Sequence, residues 1–269
     1  MNKLIAFLLL LFPPLVYGQN INLDKLILEC CYLESVVVDT TARRIVTDTL
    51  VLKIGESASA FYSKSLYFTD SLSQSKAGKA QLHELMFKYA HSGRINELTS
   101  NTAEYIYMNY PDGYVTVRSK VMDMPVEFVE EKEQPQWRLT DEVKVIEGYE
   151  CHGAEADFRG RRWIAWYTED IPINAGPWKL WGLPGLILEA YDTEDHYKYT
   201  VTSISSKSSG NVVLFDWKKK YKKMSRADYL KSMYNTDFLM NEETQSKGIA
   251  DFAKLQGDRK YDFREKDYR

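Results

Sequence analysis

VKVIEGYECHGAEADFRGRRWIAWYT, residues 143–168, is the stretch that decides the fold. Residues 143–158 alternate with a period of two, the mark of a strand whose two faces meet different surroundings. The run bends near Gly148. Arg159-Gly160 then turns it into a second alternating run, 161–168. Strands that follow one another through tight turns pair antiparallel.

The same pattern extends outward in both directions. Upstream, residues 26–39, 47–54 (stopped by Gly55) and 60–68 read as strands. Residues 104–110 and 114–121 flank Pro111-Asp112-Gly113, where proline fixes one φ and glycine permits a positive one, and so form a hairpin. Residues 124–129 read as a further strand. Downstream, 186–191 and 196–203 form a hairpin around 192–195. One interruption is helical. In 73–91, Leu82, Leu85, Met86 and Tyr89 recur at helical spacing, which predicts an amphipathic helix packed on the sheet. Ser225 with Asp228 reads as a capping box opening a short helix to Tyr234. The expected fold is mainly β: a curved antiparallel sheet or incomplete barrel with one packed helix and a short C-terminal helix. Nothing divides it, so residues 19–240 are read as a single domain and 241–269 as a polar tail whose last residues, 257–269, are charge-dense and expected to be loose.

The N-terminus reads as an export signal. Lys3 supplies a positive charge, residues 4–11 are apolar, Pro13-Pro14 break the run, and Val16-Tyr17-Gly18 ends in a small residue. This layout predicts a signal peptide, residues 1–18, cleaved before Gln19. The apolar run falls short of the about 20 residues a membrane span needs, and no later segment is long and apolar enough. The chain is therefore expected to be exported, to the periplasm or beyond the cell. Formal net charge is −3, or −4 without Lys3, with 19 Tyr and 6 Trp. No basic surplus favours nucleic acid.

The most distinctive segment is AWYTEDIPINAGPWKLWGLPGLILEAYD, residues 165–192. Leu183, Pro184, Gly185 and Leu186 fit a type II turn with Gly185 at its third place, where φ must be positive. Gly182-Leu183-Pro184-Gly185-Leu186-Ile187 also resembles the signature of the GLPGLI family, exported proteins of Bacteroidota-type bacteria. Gly148-Tyr149-Glu150-Cys151, Trp166-Tyr167-Thr168, Ile171-Pro172 and Gly176-Pro177 resemble other stretches of that family. In the N-terminal half Leu52-Lys53-Ile54-Gly55, Phe61-Tyr62-Ser63 and Asp70-Ser71 do the same. The resemblance runs to about Ser203. It implies a β-rich envelope protein, and the family brings no assigned activity.

Export permits a disulfide among Cys30, Cys31 and Cys151. Neighbours on a strand face opposite ways, so at most one of the first two reaches Cys151. Cys30 shares the more apolar face with Leu28, Tyr32, Val36 and Val38, and its surroundings look more like the family's first strand. The expected bridge is Cys30–Cys151, with three buried thiols as the plain alternative.

Trp163, Trp166, Trp178 and Trp181 offer the flat amphipathic surface of a ligand pocket, although core packing is the ordinary use of such residues. Among the four histidines, His152 follows Cys151 on a strand and faces away from it, and no metal-binding spacing or nucleophile elbow occurs. No catalytic residue, cofactor or metal is assigned. The Lys218–Lys223 cluster reads as a solvated face. The sequence favours a non-enzymatic envelope protein that binds an apolar ligand or a partner protein. A hydrolase of envelope peptide or glycan, and a structural part of a surface or secretion assembly, are the alternatives.

Overall fold

The computed structural model describes residues 21–121, 124–206, 209–234 and 262–267. The expected signal peptide lies outside the described residues. In chain order the elements are β1 (Ile21–Lys25), β2 (Leu28–Asp39), β3 (Arg44–Ile54), β4 (Ser59–Ser63), α1 (Lys64–Leu72), α2 (Lys76–His91), β5 (Tyr105–Met108), β6 (Tyr114–Val121) and β7 (Met124–Glu131). There follow β8 (Arg138–Ile146), β9 (Tyr149–Phe158), β10 (Arg161–Thr168), β11 (Leu186–Asp192), β12 (Tyr197–Ser206), β13 (Asn211–Leu214), β14 (Lys222–Lys223) and α3 (Arg226–Tyr234).

Two meanders make the sheet. β2 to β7 pair in sequence order, and so do β8 to β12. They join through β2 and β12, where Tyr197 lies opposite Val36 and Ser206 opposite Leu28. Among the described residues the result is one 12-stranded sheet that starts at β14 and ends at β8. It is strongly curved and does not close. The bend expected near Gly148 is a full hairpin: Glu147 and Gly148 have φ of 49° and 85°, and Arg159 and Gly160 have 53° and 78°. Both are two-residue turns with positive φ at each central residue, whose twist matches that of the strands.

The concave face carries the main core. β2 presents Leu28, Cys30, Tyr32 and Val36 to it, β3 adds Leu50 and Leu52, and β10 adds Trp163 and Ala165. A second, smaller core lies on the other face. There β1 and β13 pair into a separate ribbon. Leu26, Leu214, Phe215 and Trp217 cover Tyr62, Tyr105 and Tyr107. Among the described residues β13 pairs with β1 alone.

Three further expectations change. Residues 60–68 are not one strand: β4 ends at Ser63, whose hydroxyl accepts from Leu66 N–H at 3.3 Å and caps α1. The helix expected at 73–91 exists as α2, but it does not pack on the sheet. It rests on α1, and Met86 and Phe87 remain 45% and 64% exposed. Cys30, Cys31 and Cys151 are free thiols, so the Cys30–Cys151 bridge is absent. The facing argument behind it holds, since Cys30 and Cys151 are buried in the main core and Cys31 packs against the second one. Three strands stand between β2 and β9 in the sheet. Along the sheet that is about 19 Å at the usual strand spacing, whereas a disulfide needs Cα atoms within about 7 Å. The capping box is present: Ser225 accepts from Asp228 N–H at 3.0 Å and donates to its carboxylate at 2.7 Å.

Candidate binding site

The loop between β10 and β11 carries the GLPGLI stretch and positions the site. Leu186 N–H donates to Ile171 C=O at 3.0 Å and Ile187 N–H to Ala175 C=O at 3.0 Å, folding the loop back on β11. Its outer end is tied to the β7–β8 connection. Trp137 Nε1–H donates to Trp181 C=O at 2.7 Å, and Trp181 Nε1–H donates to Glu133 C=O at 3.0 Å. Leu183, Leu186 and Ile187 are buried, and Tyr32 from β2 donates its hydroxyl proton to Ile187 C=O at 2.7 Å.

The type II turn is corrected here, because Gly185 does not have positive φ. Its glycine identity has another cause. A Cβ there would lie 1.9 Å from Thr168 O and 2.6 Å from Thr168 C, so two backbones meet where no side chain fits.

The four tryptophans meet the same core with different degrees of burial. Trp163 and Trp178 are fully buried with ring centroids 5.4 Å apart, and Phe158 meets Trp178 edge-on at 5.7 Å. Trp166 is buried under the Lys144 ammonium, 4.1 Å from its ring centroid, and Trp181 is half-buried under Lys132 at 4.1 Å. Trp163, Trp166 and Trp178 belong to the main core, and Trp181 packs against it. Trp178 holds φ of 57°, a conformation bulky residues rarely adopt. This brings its ring onto Trp163 and sends the next residue, Lys179, into the mouth of the rolled sheet.

That mouth is polar, and the chain's own C-terminal segment fills it. Arg264 donates to Glu34 Oε1 at 2.7 Å and lies 3.7 Å from Glu104. Its guanidinium carbon is 5.9, 5.2 and 5.8 Å from the rings of Trp178, Tyr197 and Tyr199. Lys179 Nζ sits between Glu265 at 2.7 Å and Glu130 at 2.5 Å. Arg226, on the first turn of α3, also pairs with Glu265. Arg161 is bound to Asp192 at 2.6 Å, Asp262 at 2.8 Å and Glu194 at 3.0 Å. The expected loose tail is thus docked over residues 262–267.

Burial sets the electrostatics. It pushes the Glu34 carboxyl above the usual range despite the pull of Arg264. Burial opposes the charge on Lys179 as well, yet Glu265 and Glu130 hold its ammonium above the ordinary value. Glu265 is held below its usual range by Lys179 and Arg226, against burial. Asp192, Glu194 and His196 bring ligand-type atoms within 4.8 Å of one another. Those carboxylates are already paired with Arg161 and Lys266, and His196 contacts Asp262 at 2.7 Å. An open cleft of about 570 Å³ adjoins the mouth, lined by Tyr114, Glu130, Glu131, Lys132, Arg159 and Arg226.

The second exposed feature is the sheet edge. Among the described residues β8 pairs on one side only, with β9. Leu139, Val143 and Val145 are 55%, 53% and 71% exposed. A bulge between Leu139 and Val143 leaves 143–146 as its regular part. No helix among the described residues is long and apolar enough to cross a membrane.

Sequence reasoning missed Glu34 and Arg264. Glu34 carried a signal: it shares the period-2 face of Cys30, Tyr32 and Val36, and a lone carboxylate on an apolar face needs a buried partner. Arg264 carried none, since it stands in a charge run of the kind usually solvated.

Comparison with known proteins agrees with this picture at the level of fold. A family model described as a protein of unknown function (Porph_ging) matches residues 159–189, which hold β10, the GLPGLI loop and the start of β11. The match is consistent with the resemblance seen in the sequence. No curated protein matches. Two crystal structures of PNGF-II are similar, at 13% and 14% identity and a TM-score of 0.51 each. Each alignment covers 78% of this chain and 33% of the PNGF-II chain, so this chain spans about a third of the length of those solved chains. At that identity the likeness is one of fold: the chain is similar to part of PNGF-II in its curved sheet, and to the Porph_ging model through its β10–β11 region.

Proposed function

We propose that the chain is an exported, non-enzymatic envelope protein that binds an extended segment of a partner protein along the open edge of its sheet. The observation that carries this reading is β8, whose regular part, 143–146, borders no further strand among the described residues and exposes Val143 and Val145. An unpaired edge offers a row of N–H and C=O groups to an added strand, and exposed side chains at alternate positions give it selectivity. The apolar-ligand reading fares worse. The concave face is packed with Trp163, Trp178 and Tyr199 and closed by ion pairs, which leaves its aromatic rings engaged with each other.

The test is capture of partners from native envelope by the tagged chain and by Val143→Lys/Val145→Lys. Lysine on an edge opposes strand addition. Both side chains are largely exposed, so the fold should keep its stability. The captured partner should fall at least tenfold with the variant; a partner retained in full places the contact elsewhere. Intact mass of the same preparation should begin at Gln19.

A further inference from the structure

Residues 262–267, DFREKD, are held like a bound peptide. Twenty-seven residues separate them from the end of α3 at Tyr234. One ion pair is internal, Lys266 to Asp262 at 3.0 Å; the other grips come from elsewhere in the chain. Their backbone is read: Arg161 donates to Phe263 C=O at 2.5 Å, Tyr197 donates its hydroxyl proton to Asp262 C=O at 2.8 Å, and Lys266 N–H donates to Arg159 C=O at 2.9 Å. Their side chains are read with alternating charge. Asp262 meets Arg161 and His196, Arg264 meets Glu34 and Glu104, and Glu265 meets Lys179 and Arg226.

The central position is the most selective. Glu34 is 0% exposed, on a strand face otherwise lined by Cys30, Tyr32 and Val36. Three aromatic faces surround the guanidinium. A planar, weakly hydrated cation suits both the carboxylate and the rings, whereas a compact ammonium is more strongly hydrated and makes a poorer match.

We propose that the mouth of the rolled sheet is an arginine-selective peptide site, that its ligand class is a short segment, bent at its arginine, that presents a guanidinium between carboxylates, and that residues 262–267 occupy it in cis as a tethered ligand. This goes beyond binding at the β8 edge and does not depend on it. Tethering in cis gives an effective concentration on the order of millimolar, so a free competitor must exceed that.

The first experiment uses the wild-type mature chain. Agmatine at tens of millimolar, above that tether concentration, should displace Arg264 and speed amide exchange at Lys266 at least tenfold, while butylamine at the same ionic strength should leave exchange unchanged. The second uses Arg264→Ala in the full chain, with the synthetic peptide DFREKD as probe and tryptophan fluorescence as readout. The peptide should bind saturably to the variant, at least tenfold more weakly to wild type, and at least tenfold more weakly when its arginine is lysine. Equal effects of agmatine and butylamine, or equal binding of the two peptides, would overturn the proposal. If Arg264→Ala does not fold, the exchange measurement on wild type decides alone: no effect of agmatine means that 262–267 is a fixed part of the core.

Discussion

Arg264 places its guanidinium 2.7 Å from a carboxylate oxygen of Glu34, 230 residues earlier in the chain. One partner comes from the centre of the longest strand and the other from the C-terminal end. The contact ties the tail to the strand that joins the two meanders. A buried pair of this kind is weak evidence for net stability, but losing one member strands the other without compensation. Arg264→Ala or Glu34→Ala should therefore each cost about 3–5 kcal/mol. The double replacement Glu34→Leu/Arg264→Met should cost less than the sum of the two. Urea denaturation of the four proteins measures this, and additive losses would show that the two side chains do not act as a pair.

Acid should release the tail before it unfolds the sheet. Burial works against ionisation of Asp262, but His196, Lys266 and Arg161 hold its carboxyl down at about 2. Glu265 is likewise held below its usual range by Lys179 and Arg226. A carboxylate lowered on folding contributes stability that is fully present above its ordinary value and is lost as pH falls through its folded one. Glu34 runs the other way: its raised value means that its contribution weakens as pH rises. The net expectation is a segment held firmly at neutral pH and released as pH falls from about 4 toward 2. Amide exchange of 262–267 against pH checks it, and release on going alkaline instead would show that Glu34 dominates.

The thiols should differ sharply in reactivity. Burial, with the neighbouring charges of Cys31 and Glu29, pushes the Cys30 thiol up to about 12, and burial pushes Cys151 up to about 11. At pH 8 these shifts leave about 1000-fold and about 100-fold less thiolate than an ordinary cysteine. Titration of the native protein with a disulfide reagent should find one fast thiol, Cys31, and two more only after unfolding. A protein with a single titratable thiol in denaturant would contain the bridge that is absent here.

Gly185 and Gly113 are both glycines beside a strand, yet for different reasons. Gly113 has φ of 78°, and no neighbour lies within 4 Å of where a Cβ would stand. Gly113→Ala therefore meets only the left-handed backbone penalty of about 1–2 kcal/mol. Gly185 meets the Thr168 backbone, which cannot give way as a flexible side chain does. Gly185→Ala should cost about 3 kcal/mol or more, at the upper end of overpacking penalties. Thermal unfolding of the two variants ranks them, and a smaller loss at Gly185 would contradict the close approach of the two backbones.

Much of the sheet was legible because its information is local. Alternation gave most strands and Arg159-Gly160 gave the turn between β9 and β10, whereas the hairpin turn at Glu147-Gly148 read only as a bend. What failed depended on distant partners. β13 is a strand only because β1 lies beside it, and a four-residue run carries little pattern of its own. α2 shows helical spacing, but spacing does not say whether the apolar side meets a sheet or only another helix. Gly185 looked like a turn residue because Pro-Gly is a turn signal, while its actual constraint, the Thr168 backbone, lies 17 positions away. The four tryptophans were visible as a cluster in sequence, and all four lie in or against the main core. At the mouth, Glu34 was discoverable from its face of β2, whereas nothing local marks Arg264 as buried.

The central claim is that the chain meets a partner at the open edge of β8. The most direct measurement places a photo-crosslinking amino acid at position 143 in the otherwise unaltered chain, with the same substitution at Thr202 on β12, an exposed site on a strand already paired on both sides. Irradiation in native envelope should give one discrete adduct from position 143 and none from position 202, with loss of the adduct when Val145 is also lysine. Adducts of equal yield from both positions, or none from position 143 in a correctly exported chain, would contradict it.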